Sequence, residues 1–191
     1  MCPSIIENIF LLALSLQTAS VAGGYGNGVG GSSLNALYYP TGLAVGPDES
    51  LYISDYGNHR VIKLPKGSLT GSIVAGTGQI GSGSNQLNGP GGIHVDASSN
   101  LYVADTRNYR IMLWQNNSST GIRVAGTGLT GSTLSSFGIA AGISVDSKGH
   151  IYVCDHTYHR VLKFVSNTVL GELVAGTGLA GSGSLQLNSP Y

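Results

Sequence analysis

The chain has 191 residues, nine basic and nine acidic side chains, and a charged content of only 9%, where about a quarter is usual for a soluble domain. With no basic run or stripe, a nucleic-acid backbone is a poor partner, and no acidic tail points to a cationic one. Two cysteines, Cys2 and Cys154, make no disulfide framework and leave both cytosol and secretion open.

In chain order, the first feature is the apolar run Ile9–Leu16, too short to span a bilayer, so no membrane span is expected. Ser20-Val21-Ala22 resembles a small-residue cleavage site, yet the preceding "MCPSIIEN" has no Lys or Arg and carries Glu7. Residues 1–14 therefore read either as a signal peptide or as a buried strand. Beyond them, short strands are predicted at Gly42–Gly46, Leu51–Tyr56, Arg60–Leu64 and Ser72–Gly76. Val, Ile, Leu and Tyr fill these stretches, and Gly, Asn, Asp, Ser and Pro fill the joints.

The same set then returns twice. "LYISDYGNHRVIKL" at Leu51 becomes "LYVADTRNYRIMLW" at Leu101 and "IYVCDHTYHRVLKF" at Ile151, a step of 50 residues each time. Asp55, Asp105 and Asp155 match, as do Arg60, Arg110 and Arg160, and "VAGTG" recurs at Val74, Val124 and Val174. Four short strands at such a period are the signature of a β-propeller blade.

The recurring strand beginning Pro-x-Gly, the Tyr-containing strand ending in Asp and the following Asn-x-Arg resemble the NHL repeat over about residues 40–176. Two departures stand in the third copy: Ala140 replaces the Pro, and Tyr158 replaces Asn58 and Asn108. The resemblance implies an all-β fold, a propeller of the commonly six-bladed kind. Three complete four-stranded blades are expected at about 40–76, 90–126 and 140–176. Partial blades at both ends, 15–24 and 187–191, make 15–191 one propeller region. Three blades cannot close a ring, since natural propellers have about four to eight. The chain thus reads as a fragment of a longer propeller, or as a part completed by a second chain or a missing segment, with apolar faces exposed on its first and last blades.

The repeated polar residues Asp55, Arg60, Asp105, Arg110, Asp155 and Arg160 read as structural clasps, because a feature present in every blade serves every blade. Tyr52, Tyr102 and Tyr152 read as packing between blades, and Cys154 as a small core residue. "VAGTG" lacks the Lys-Ser/Thr of a phosphate loop and the helix that follows one. His156 and His159 have a zinc-like spacing without a third ligand, and His94 stands alone on the innermost strand, opposite Ala44 and Ser144 in its neighbours. No metal site, no cofactor and no catalytic constellation is therefore assigned. The candidate ligand-binding face is the set of turns between second and third strands, carrying His59, Arg107, Tyr109, His156, Tyr158 and His159 beside Gly/Ser-rich inter-blade loops. Asn116 and Asn117 each open an Asn-x-Ser glycosylation sequence on the opposite turns, relevant only to a secreted chain. The leading functional reading is a non-catalytic binding scaffold with a protein partner. The resemblance also admits an enzyme of the peptide-amidating lyase or lactonase type, or the substrate-binding arm of a larger ubiquitin ligase, kinase or receptor.

Overall fold

The computed structural model describes residues 31–34, 36–68, 70–165 and 168–191. The expected strands and cleavage site before residue 31 lie outside that set. The described chain forms three four-stranded antiparallel sheets, each a meander in chain order. Blade one comprises β1 (Pro40–Val45), β2 (Leu51–Asp55), β3 (Arg60–Leu64) and β4 (Ser72–Ala75). Blade two comprises β5 (Pro90–Val95), β6 (Leu101–Asp105), β7 (Arg110–Trp114) and β8 (Ile122–Ala125). Blade three comprises β9 (Ala140–Val145), β10 (Ile151–Asp155), β11 (Arg160–Phe164) and β12 (Glu172–Ala175). No described helix is long and apolar enough to cross a membrane.

Alternation within each strand divides side chains between the two faces of its blade. Tyr52, Val61 and Ala75 leave the trailing face of blade one and meet Ile93, Leu101, Val103, Met112 and Trp114 on the leading face of blade two. Tyr102, Ala104, Ile111 and Ala125 do the same against Ile143, Val145, Ile151, Val153, Leu162 and Phe164 of blade three. The loops add plugs to these layers: Leu87 and Phe137 are both fully buried. The inner strands β1, β5 and β9 pack side by side. A Cβ on Gly92 would stand 2.9 Å from both the Ala141 carbonyl oxygen and the Gly142 Cα, so this approach requires glycine.

The end faces differ from one another. Val174 is 46% exposed on blade three, as a trailing face without a neighbour should be. Blade one departs in part from the expected exposure: Ile53, Ile62 and Leu64 on its leading side are buried, Leu43 and Leu51 are half-buried, and Val45 stays open. The preceding segment is fastened to the corner of this blade by Asp55 and Arg60.

Candidate functional site: corner clasps and the tip face

Asp55 ends β2 and Arg60 begins β3, and the two are paired residues in the ladder. The same register joins Asp105 to Arg110 and Asp155 to Arg160. Arg Nε donates to Asp Oδ2 at 2.8, 2.7 and 3.0 Å in the three blades, and all three Asp side chains are fully buried. The other guanidinium nitrogens reach carbonyl oxygens of the loop that precedes each blade. Arg60 bonds Ser32, Ser33 and Ala36; Arg110 bonds Ser82, Gly83 and Gln86; Arg160 bonds Ser132, Thr133 and Ser136. The free Asp oxygen closes the ring of contacts by accepting the loop N–H of Tyr38, Asn88 or Gly138. Each carboxylate and guanidinium is thus compensated by partners from the blade and from the incoming loop, which a buried pair requires. Burial raises the Asp105 carboxyl above its ordinary range, against the donors Asn108, Asn88 and Arg110, which lower it.

Within each blade the clasp closes the corner between the second and third strands. The geometry extends it to the inter-blade loop, some 17 to 28 residues upstream. Only Asp155 also takes a turn amide, from Tyr158, whose ring lies beneath Arg160 with 5.5 Å between centroid and Cζ. In blades one and two, Asn58 and Asn108 fill that role by donating to the Asp and to the loop carbonyls of Gly31 and Gly81.

The residue before each Arg adopts the left-handed conformation, with φ of 52° at His59, 49° at Tyr109 and 49° at His159. Side chains other than glycine take that region sparingly, with His and Asn enriched there. The two histidines are also bonded across blades: His59 Nδ1 accepts the Gly89 N–H and His159 Nδ1 accepts the Ser189 N–H, each at 3.0 Å. An Nδ1 that accepts an N–H carries no hydrogen of its own, so each bond uses the tautomer with its hydrogen on Nε2. Burial, then Arg107, hold His59 below its ordinary pKa, with Asp105 and Asp55 opposing. These bonds went unread in the sequence, because the partner is a backbone amide 30 residues away.

The remaining tip residues form contacts that cross blade boundaries. Arg107 lies over the Tyr56 ring at 5.3 Å and donates Nε to its hydroxyl at 2.9 Å. Tyr158 meets Thr130 through hydroxyls 3.4 Å apart, and His156 packs edge-on against Tyr191 at 4.9 Å. Tyr109 is half-buried, and Arg107 is exposed. His94 is half-buried and edge-on to Tyr102 at 6.2 Å; burial lowers its pKa. Cys154 is half-buried and burial raises its thiol pKa, so the thiolate is disfavoured. No group of three or more His, Cys, Asp or Glu among the described residues is arranged to hold a metal. Asn116 and Asn117 are exposed on the opposite face, at the rim of a groove between blades one and two that also takes in Tyr52, Lys63 and Trp114.

Stacked meanders with a repeated Asp–Arg corner define a protein of β-propeller type. The NHL repeat model matches residues 37–64 and 137–164, so two of the three blades carry recognisable NHL repeats. No curated protein matches it. Among solved structures, a protein of unknown function from Bacteroides thetaiotaomicron is similar at 18% identity and a TM-score of 0.64, with 80% of this chain and 41% of that one covered. A chain from a nidogen–laminin complex gives 18% identity and 0.55, covering 71% and 46%. A gluconolactonase from Xanthomonas campestris gives 16% and 0.54, covering 75% and 48%. The chain spans less than half the length of each of these structures, and at such identities the likeness is one of fold.

Proposed function

We propose that the protein is a non-catalytic binding scaffold, with the tip face as its recognition surface and a protein as its partner. The observation that carries this reading is the continuity of the face. The Tyr56–Arg107 pair joins blades one and two, and Thr130–Tyr158 joins the next loop to blade three. Rigid aromatic groups and Arg beside Gly/Ser loops are the ingredients of a protein-binding patch. Their mutual contacts hold them in place before binding, which lowers the entropy lost on association. The nidogen–laminin neighbour is a protein–protein complex of similar fold, which makes a partner of this class reasonable.

A photo-crosslinking amino acid at position 109, compared with the same group at position 117 on the opposite face, tests the reading. Specific protein adducts are expected from position 109 and are lost with Arg107→Ala. Identical adducts from both positions would remove the tip face as the recognition surface.

A further inference from the structure

The corner clasps recur in all three blades, whereas one arrangement on the tip face occurs once among the described residues. Gly89, in the loop between blades one and two, lies against three donor side chains. Its N–H bonds His59 Nδ1 at 3.0 Å. A Cβ added to it would stand 2.9 Å from Tyr56 Cε2 and 3.3 Å from Arg107 Cδ, so both side chains rest on its bare Cα. These three positions do not repeat their chemistry. Tyr56 becomes Thr106 and His156, and His59 becomes Tyr109 and His159. Arg107 stands where the other blades have Gly57 and Thr157. The junction of blades two and three thus has Thr106, Tyr109 and Thr157 at these places, with no cation. What serves every blade is structural; an exposed turn that breaks the repeat is where a function of its own belongs.

The hydrogen-bonding capacity of the three groups is one-sided. With Nδ1 accepting, the His59 hydrogen sits on Nε2 and can be donated. Arg107 Nε donates to the Tyr56 hydroxyl oxygen at 2.9 Å, which leaves the phenolic hydrogen to be donated elsewhere. Arg107 Cζ also lies 5.3 Å from the Tyr56 ring centroid, so ring and hydroxyl together hold the guanidinium. Among the described residues, neither the Arg107 Nη groups, the Tyr56 hydrogen nor His59 Nε2 has an acceptor. Arg107 is exposed and the other two are half-buried, so an acceptor can arrive from solvent.

No described side-chain carboxylate of the chain itself can fill the place. Asp48, Glu49, Asp96 and Asp146 lie on the turns between first and second strands, and Glu172 opens β12, all on the opposite face. Asp55, Asp105 and Asp155 are fully buried and taken by Arg60, Arg110 and Arg160. After burial, the charge of Arg107 is the next influence that keeps His59 unprotonated, with Asp105 and Asp55 opposing it. The cluster therefore offers one positive charge beside two neutral donors.

We propose that Tyr56, His59 and Arg107 form a carboxylate-binding site, filled by an Asp or Glu side chain of the protein partner. The Nη edge of Arg107 presents two N–H donors to the carboxylate oxygens, and the Tyr56 and His59 donors suit the remaining lone pairs. One cation matches one negative charge, whereas a phosphate group carries more than one at neutral pH. The site rests on the reading of the tip face as a recognition surface and names the chemistry that surface recognises.

The probe is N-acetyl-aspartic acid amide, titrated to saturation against the 191-residue chain at low salt, with N-acetyl-asparagine amide as its neutral counterpart. NMR follows the Gly89 amide and the Arg107 Nε–H. Saturable shifts at both are expected with the acid and none with the amide. Arg107→Gln is expected to weaken binding by about tenfold or more, and Tyr56→Phe by about threefold. Arg107→Lys falls between wild type and Arg107→Gln, because it keeps the charge and loses the two-pronged edge. An unchanged melting temperature of each variant shows that the fold is intact. Equal shifts from acid and amide, or binding of the acid that Arg107→Gln leaves unchanged, overturn the site. N-acetyl-phosphoserine amide is the third probe. Binding it more than about tenfold tighter than the aspartate assigns the site to phosphate and overturns the carboxylate. Photo-crosslinking from position 109 separates this site from the recognition face. Specific adducts without acid-dependent shifts leave the face standing and overturn the site. Acid-dependent shifts that need Arg107, without adducts, uphold the site and count against the protein partner.

Discussion

Arg160→Ala is the sharpest perturbation of the corner clasp. The side chain is 7% exposed and faces a fully buried Asp155. Its loss removes the 3.0 Å ion pair, the 2.6 Å bond to Ser132 and the 2.9 Å bonds to Thr133 and Ser136. Asp155 keeps only the Gly138 and Tyr158 amides, at 3.1 and 3.3 Å. Removing one partner of a buried pair costs about 3–5 kcal/mol, because the other charge stays buried without compensation. That is a large part of the roughly 5–15 kcal/mol that holds a domain folded. For a chain of this size it lowers the melting temperature by about 6–20 °C. Urea unfolding followed by the single Trp114, which is 2% exposed, measures it. Lys66 and Glu49 form the control: their ion pair is shorter, at 2.6 Å, but the side chains are 67% and 66% exposed. Lys66→Ala is expected to cost about 0–1 kcal/mol. Arg160→Lys falls between the two, because an ammonium keeps the charge and loses the fork that spans several carbonyls. An Arg160→Ala loss no larger than that of Lys66→Ala would refute the reasoning, since burial and not bond length is held to decide the cost.

Three further outcomes follow from the same contacts. Gly92→Ala drives a methyl into the Ala141 carbonyl and the Gly142 backbone, and is expected to cost about 1–3 kcal/mol by overpacking the junction of the inner strands. Gly67→Ala, at φ +73° with nothing within 4 Å, should cost about 1–2 kcal/mol from backbone conformation alone and leave that junction intact, as exchange at β5 and β9 would show. His59 is held below its ordinary pKa of 6.5 when folded, so the unfolded chain takes the proton first. Its contribution is complete above about pH 6.5 and is lost as pH falls through the lowered value. The urea midpoint should therefore decline between pH 8 and 5, and His59→Asn, which tolerates the left-handed backbone, should flatten that decline. An unchanged slope in the variant counts against the neutral Nδ1 bond.

The class of fold was legible because a propeller repeats its chemistry. Strand alternation, turn residues and the Asp-x4-Arg spacing are local signals, and three copies in register multiply them. The departures in the third copy were legible as well, and the structure gives their meaning: Tyr158 replaces the Asn58 amide by a ring beneath Arg160 and a backbone N–H to Asp155.

What the sequence determined alone, then, is the four-stranded blade, its 50-residue period and the pairing of Asp55 with Arg60, each of them set by strand and turn signals local to the chain. Tertiary structure decided where the rest of each guanidinium goes, that His59 and His159 hold the following loop, and which blade faces are open. Those bonds join side chains to backbone amides and carbonyls, groups that every residue carries and that leave no trace in residue identity. Nothing in the letters distinguishes the carbonyl of Ser132 from any other; only the stacking of one blade on the next brings it to Arg160.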